Sequence, residues 1–356
     1  MELEITDTIG VELGDSSYVL GAIEEVCHGL QGEILVLDRS AACIRTYDST
    51  GVFLGAIGRR GSAPGELLNP IGLATLEDGR IVVIDPWRGG LFVWSADGAY
   101  QEQVAEMVSN TPALLEGTSD SGFIAGKVTP DVINEQIVVT TALLRYDLSG
   151  EPTRTYNQVS FELDPMNMGR TLEHTLFWGS FTADRDGNVY FAEMDPESYR
   201  ITGMHEDGAE FLSVAHPVEP VEKTLEEMAD ERAYVLARLE GWNAQWGIND
   251  YDPQPMRNQV RDLPGVDRFG RLWALRGTRE DPTFDVFDSQ TGDKLFTAVI
   301  PGVGYQGLFW SFHVDQGGMA AWSADPEGYP QVYIVELPSR GISAQTEEQS
   351  TGFASR

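Results

Sequence analysis

The sequence repeats one short pattern: an apolar run, a turn that starts with Asp and ends with Gly, and a second run of alternating apolar residues. The Asp side chain accepts hydrogen bonds within the turn, and Gly adopts the positive φ that a tight hairpin requires. The pattern therefore predicts a series of β-hairpins. Its clear copies lie at 76–85, 182–191, 266–274 and 313–320, with weaker copies at 30–38 and 119–124.

A second hairpin with its own Asp/Gly turn follows these copies, as at 47–51 and 287–292. Each unit then contains four antiparallel strands and recurs at roughly 40–50 residues, which is typical of a β-propeller blade. Six such units fit the 356-residue chain. We therefore predict an all-β fold: one six-bladed β-propeller of four-stranded antiparallel blades over residues 1–338.

The two ends of the chain have different roles in this prediction. The last blade lacks a fourth alternating run, and Leu3–Ile9 alternates cleanly, so we expect this N-terminal segment to complete that blade and close the ring. Residues 339–356 are polar and are expected to form a flexible tail.

One segment departs from the β pattern. Between the fourth and fifth blades, residues 224–239 carry apolar residues at helical spacing, and Thr224-Leu225-Glu226-Glu227 matches a capping box. We predict a helical insertion at about 219–258. It either covers one face or the channel mouth, or packs on the side of the propeller.

The stretch 57–74, with Gly-rich residues, then Pro64-Gly65-Glu66 and Pro70-Ile71-Gly72, resembles the NHL-type repeat. The whole chain resembles bacterial six-bladed propellers of the NHL/TolB-like superfamily. That resemblance implies an extracytoplasmic location. It implies a fold more than an activity, because one fold hosts many functions.

The charge of the chain excludes some partners. With 24 Lys+Arg against 56 Asp+Glu, the formal net charge is −32. A surface this acidic repels phosphate backbones and anionic headgroups. We therefore expect neither nucleic acid nor a membrane as partner. No apolar run reaches the ~18–20 residues of a membrane helix. The N-terminus has neither a basic nor an apolar signal region, so we expect no signal peptide in this chain. As a separate expectation, we predict that the chain is a monomer.

Ligands of propellers commonly bind where the innermost strands converge. Residues at or just before the starts of these predicted strands could line one channel mouth and bind a small polar ligand or a protein. The alternative is a solvated funnel with ordinary polar residues. The candidates are Glu25, Asn69, Trp178, Arg261 and Trp310.

Evidence for a metal is weak. His313 and Cys27 occupy equivalent positions in their repeats and could be neighbours, whereas His28 should face away from Cys27 on its strand. Lactonase-type propellers would use a channel carboxylate such as Glu25, with Asn69 as a further oxygen ligand for calcium. We predict no cofactor, with calcium or zinc as the alternative, and expect Cys27 and Cys43 to be small buried residues.

Two functions follow from these observations. We favour a non-catalytic binding module that uses the channel mouth as its recognition surface. The alternative is a metal-dependent hydrolase or lyase, lactonase-like or amidating-lyase-like, acting at the central channel with Glu25 or His313 as metal ligand or base. The sequence contains no Gly-x-Ser-x-Gly elbow, no phosphate-binding Gly-x-x-x-x-Gly-Lys loop and no His-Glu-x-x-His motif.

Overall fold

The computed structural model describes residues 1–104, 114–117, 122–162, 180–193, 195–238, 251–277, 281–304, 310–323 and 328–339. Within these ranges the chain forms strands and one helix. Residues 340–356 of the predicted tail, Trp178 and part of the predicted insertion lie outside the described residues.

Four sheets each contain four consecutive strands in chain order. Sheet 1 comprises β2 (Ile23–His28), β3 (Ile34–Asp38), β4 (Cys43–Tyr47) and β5 (Phe53–Ile57). Sheet 2 comprises β6 (Gly72–Thr75), β7 (Ile81–Asp85), β8 (Gly90–Trp94) and β9 (Tyr100–Val104). Sheet 3 comprises β10 (Leu114–Gly117), β11 (Gly122–Ile133), β12 (Gln136–Asp147) and β13 (Pro152–Glu162). Sheet 4 comprises β14 (Phe181–Ala183), β15 (Val189–Ala192), β16 (Ser198–Met204) and β17 (Glu210–Pro217).

The remaining strands form one eight-stranded sheet, in the order β1-β24-β23-β22-β18-β19-β20-β21. One half of it comprises β18 (Val260–Val266), β19 (Arg271–Arg276), β20 (Thr283–Asp288) and β21 (Lys294–Val299). The other half comprises β22 (Trp310–Val314), β23 (Met319–Ser323), β24 (Gln331–Val335) and β1 (Ile5–Ile9). A parallel pairing of Gly265 with Val314 joins the halves. A Cβ on Gly265 would overlap the carbonyl oxygen of Val314, so this close approach requires glycine.

The fold is therefore all-β with a propeller-like arrangement, as predicted, but its sheets do not separate into six. The first strands β2, β6, β10, β14, β18 and β22 contact one another in chain order, and β22 contacts β2. Because β22, the last of these first strands, contacts β2, the first of them, the six strands form a closed ring. The Asp/Gly turns lie where the sequence predicted them, with positive φ at Gly79, Gly187 and Gly270.

Apolar residues pack between successive sheets. The cluster between sheets 1 and 2, for example, joins Leu37 and Ile44 to Leu73 and Trp94, and a comparable cluster joins Val26 and Tyr47 of sheet 1 to Trp322 of β23. Fully burying one such side chain contributes roughly 1.5–3 kcal/mol. The buried thiols of Cys27 and Cys43 are free, as predicted.

The N-terminal strand closes the ring, as its alternation predicted. β1 pairs antiparallel with β24, with Ile9 opposite Val332. The backbone just before it also pairs with β21, where the Leu3 N–H donates to the Val299 carbonyl at 2.8 Å. The N-terminus thereby covers an edge of β24 that would otherwise be exposed.

The predicted helix is present as α1 (Leu225–Arg238). Its capping box forms as predicted: the Glu227 N–H donates to Thr224 Oγ1 at 3.2 Å, and the Thr224 N–H donates to Glu227 Oε2 at 2.6 Å. Polar contacts join α1 to the rest of the insertion: Glu227 pairs with Arg257, and Glu231 accepts from Tyr251. No helix among the described residues is long and apolar enough to cross a membrane.

Candidate functional site

The C-terminal ends of the six first strands meet around a cavity of about 60 Å³ at one end of the central channel. Every sheet contributes to it, and the eight-stranded sheet contributes through both halves. Its lining includes Cys27 and His28 of β2, Thr75 of β6, Glu116 of β10, Val266 of β18 and His313 of β22. This cavity is the candidate functional site.

One carboxylate holds two imidazoles at the wall of this cavity. His313 Nε2 lies 3.1 Å from Asp315 Oδ2. His28 Nδ1 lies 2.8 Å from Asp315 Oδ1, a close ion-pair contact whose angle departs from that of a hydrogen bond. The His28 backbone N–H also donates to Asp315 Oδ2 at 3.1 Å. Asp315 therefore links the first and the last parts of the ring.

The turn after β22 positions Asp315. The Gly317 N–H donates to Asp315 Oδ1 at 2.7 Å, as in the other Asp/Gly turns. In those turns the Asp binds side chains of its own sheet, as Asp267 does with Arg271 and Trp273. Asp315 instead contacts His28 of a neighbouring sheet. Gly317 allows this approach, because a Cβ at that position would overlap the His28 side chain.

The charges of this cluster stabilise one another. Burial alone would raise the pKa of Asp315, but His28 and His313 outweigh it and hold that pKa well below its usual range. Burial alone would lower the pKa of His28, but the charge of Asp315 and its close contact with the imidazole outweigh it and raise that pKa. The cluster therefore favours an ionised carboxylate beside a protonated imidazole.

Further along the channel, like charges oppose one another. Burial raises the pKa of Glu116 well above its ordinary value, and the charges of Glu25, Asp262 and Asp315 raise it further. Burial also raises the pKa of Asp262 to about 6, although Arg261 and His313 act in the opposite direction. The carboxyl groups of β2, β18 and the turn after β22 thus act together on Glu116 of β10. Glu116 retains its proton at pH values where an exposed glutamate has lost it.

The same surroundings make Cys27 a poor nucleophile. Burial, and then the charges of Asp315, Glu25 and Glu116, raise the pKa of its thiol well above the ordinary value. Cys27 packs in the core between sheets 1 and 2, whereas His28 points to Asp315, so the two face opposite ways as predicted. Among the described residues, no three His, Cys, Asp or Glu side chains converge as a metal site requires.

The predicted mouth residues that the structure describes differ in their surroundings. Asn69 precedes β6, at the opposite end of that strand from the cavity, and its backbone N–H donates to Asp85 at 3.0 Å. The Arg261 Nη2 donates to the Trp310 carbonyl at 2.9 Å. The side chain of Trp310 is only 6% exposed and stacks on Tyr333 at 4.2 Å, within the core between the halves of the eight-stranded sheet.

The position predicted for Trp310, facing the channel, is therefore wrong. Alternation along β22 directs Trp310 and Phe312 into the core, and His313 instead lines the cavity. Of the predicted residues, Glu25 is one of the carboxylates that raise the pKa of Glu116, and Cys27 and His313 line the cavity. The sequence reasoning missed Glu116 and Asp315, although the excess of carboxylates over bases was a signal for such a cluster.

No family model matches the chain, and no curated protein matches it. Solved structures of similar shape include a gluconolactonase from Xanthomonas campestris, with a TM-score of 0.46, 14% identity and coverage of 94% of this chain and 98% of that one. A virginiamycin B lyase from Staphylococcus aureus has a TM-score of 0.46 and 11% identity, covering 94% and 100%. The calcium-binding protein regucalcin from Agrobacterium tumefaciens has a TM-score of 0.45 and 11% identity, covering 94% of each chain. No residue role and no activity of this chain follows from similarity at that level.

Proposed function

We propose that the chain is a six-bladed NHL-like propeller that binds ligand without catalysis. The blade count is supported by six first strands in one closed ring and by the single parallel pairing that joins the halves of the eight-stranded sheet. Two antiparallel four-stranded units joined at one residue pair are best described as two blades in close contact.

The ligand we propose is a small organic cation, such as an ammonium group, held in the central channel. One observation carries this proposal: Glu116 and Asp315 line the same cavity, and the charges of Glu25, Asp262 and Asp315 together raise the pKa of Glu116. Such mutual repulsion is relieved by a bound positive charge. An ammonium group needs no tight convergence of ligands, in contrast to a metal ion.

The mouth at the opposite end, with Asn69 and Arg261, is the recognition surface for the rest of a larger ligand or for a protein. It lies at the starts of the first strands, so a ligand entering there meets Asp262 before the cavity. In this arrangement the channel carboxylates bind the charged group of the ligand, and the mouth selects among ligands by contacting the remainder of the molecule.

Isothermal titration calorimetry with methylammonium, calcium and zinc at pH 8 tests the proposal. We expect methylammonium to bind, Glu116→Gln to weaken binding about tenfold or more, and Glu135→Gln, in the exposed turn between β11 and β12, to leave it unchanged. The proposal is wrong if methylammonium does not bind, or if the two variants bind it equally well.

A second candidate, a hydrolase or lyase, is favoured by the contact of His313 with Asp315. A carboxylate that orients an imidazole in a cavity is the arrangement of a general base. The described residues supply no three-ligand group for calcium or zinc, so the base and not a metal supports this candidate. Hydrolysis of a simple lactone that is lost in His313→Gln, with the fold retained by circular dichroism, would support it over the binding function.

We also propose that the protein is monomeric and extracytoplasmic, on its resemblance to bacterial NHL/TolB-like propellers. Light scattering coupled to size-exclusion chromatography tests the first point. Cell fractionation of the native protein tests the second.

A further inference from the structure

A larger cavity, of about 570 Å³, lies away from the channel between sheets 3 and 4. Its volume is in the range of small-molecule sites. One wall comes from β12 and β13, and the other comes from the β14–β15 and β16–β17 turns. These walls carry opposite charge.

The wall from sheet 3 is cationic. Arg145 of β12 and Arg154 of β13 are directly opposite each other in the antiparallel register. Like charges at such positions destabilise a strand pair unless an anion compensates them. Arg145 is only 7% exposed, so its charge is held at the base of the cavity and not free in solvent.

The wall from sheet 4 is anionic, with Asp186, Glu206 and Asp207. One ion pair spans the cavity, between Arg145 Nη2 and Glu206 Oε1 at 2.7 Å. Arg154 has no carboxylate within ion-pair distance in the part of the chain that the structure describes, and its guanidinium lies near Gly208. One arginine of the opposed pair is thus neutralised by Glu206, and the other is left for a ligand.

A fixed polar group separates these charges. Asn188 donates from Nδ2 to Asp184 Oδ2 at 2.8 Å, so its Oδ1 must accept from His205 Nδ1 at 2.8 Å. This assignment puts the proton of a neutral His205 on Nδ1 and leaves Nε2 as an acceptor. The imidazole is further held by stacking on Phe211, with ring centroids 4.4 Å apart.

We propose that this cavity binds a small zwitterionic molecule of the aminocarboxylate class. The carboxylate of the ligand pairs with Arg154 beside Arg145, and its ammonium group is bound by Asp186 and Asp207. A purely anionic ligand would meet the carboxylates of sheet 4, and a purely cationic one would meet the two arginines. Only a molecule with both charges is complementary to both walls.

Calorimetric titration of the whole chain with aminocarboxylates of increasing length tests this. The probes are glycine, γ-aminobutyrate and 6-aminohexanoate, compared with butyrate, which carries the negative charge alone. We expect at least one zwitterion to bind, and to bind tenfold or more tightly than butyrate. Failure of all three zwitterions to bind at millimolar concentration overturns the proposal, as does butyrate binding equally tightly.

Variants then locate the binding. Arg154 and Asp186 are both exposed, so Arg154→Gln and Asp186→Asn should retain the fold and weaken binding about tenfold each, since each removes a charged hydrogen-bond partner. Arg200→Gln, on β16 and outside the cavity, is the matched control and should bind normally. Glu116→Gln should also bind normally, which separates this site from the channel. Binding that is unaffected by both cavity variants would show that the zwitterion binds elsewhere.

Discussion

Asp262 allows the electrostatic argument for the channel to be tested quantitatively. Asp262 is partly buried on β18, and this burial raises its pKa from 3.8 to about 6. Because the folded-state pKa is higher than the unfolded one, the folded protein binds more protons between these values. The free energy of unfolding therefore falls as pH rises from about 4 to about 6, and this contribution is constant above that range.

The rise from 3.8 to about 6 corresponds to about 3 kcal/mol. This value is an upper limit, because water in the channel screens the charge. Asp262→Asn removes the ionisation and keeps the oxygen that accepts from the Leu263 N–H at 2.9 Å. We therefore expect the variant to be more stable than the wild type by up to about 3 kcal/mol at pH 8, and equally stable at pH 3.

Urea denaturation of both proteins at pH 3, 4, 5, 6 and 8 measures this difference. Glu135→Gln removes one negative charge at an exposed turn, so it corrects for the general effect of making the chain less acidic by one charge. A stability difference that does not change between pH 4 and 6 would refute the reasoning, as would an Asp262→Asn protein less stable than the wild type at pH 8. If the channel binds a cation, the same variant should bind methylammonium more weakly while being more stable.

Further predictions concern the packing of the ring. Asp267→Ala leaves the buried guanidinium of Arg271 without its carboxylate, and should lower the free energy of unfolding in urea by about 3–5 kcal/mol. Deletion of residues 1–9 exposes an edge of the last unit, and should lower the Tm by calorimetry and increase light scattering on heating. Gly317→Ala forces its methyl group into the side chain of His28 and should destabilise by about 1–3 kcal/mol in urea, whereas no change would contradict the close contact.

Local patterns in the sequence predicted much of the architecture. Alternation with Asp/Gly turns predicted the hairpins, because side-chain period and positive φ are properties of a few adjacent residues. The same locality explains the capping box of α1, where Thr224 and Glu227 are three residues apart. The pairing of β1 with the last unit was predictable too, because that unit lacked a fourth strand and the N-terminal segment alternates like a strand.

The site was less predictable, because its groups are distant in sequence. Trp310 was wrongly assigned to the channel mouth, since the sequence gives the alternation of β22 but not which side of that strand packs on its neighbour. The link between His28 and Asp315 spans 287 residues and depends on closure of the ring. Asp315 reads like any other turn aspartate until its neighbour across that closure is known.

The sequence by itself therefore determined the strands, the turns, the helix start and the acidic character of the chain, all of which depend on neighbouring residues or on composition. Only the tertiary structure decided which carboxylates face one another in the channel and which charges line the cavity between sheets 3 and 4. The physical reason is that electrostatic interactions depend on distance in space and on burial. The ring of strands sets both when it brings residues such as Glu116 and Asp315 from separate sheets to one cavity.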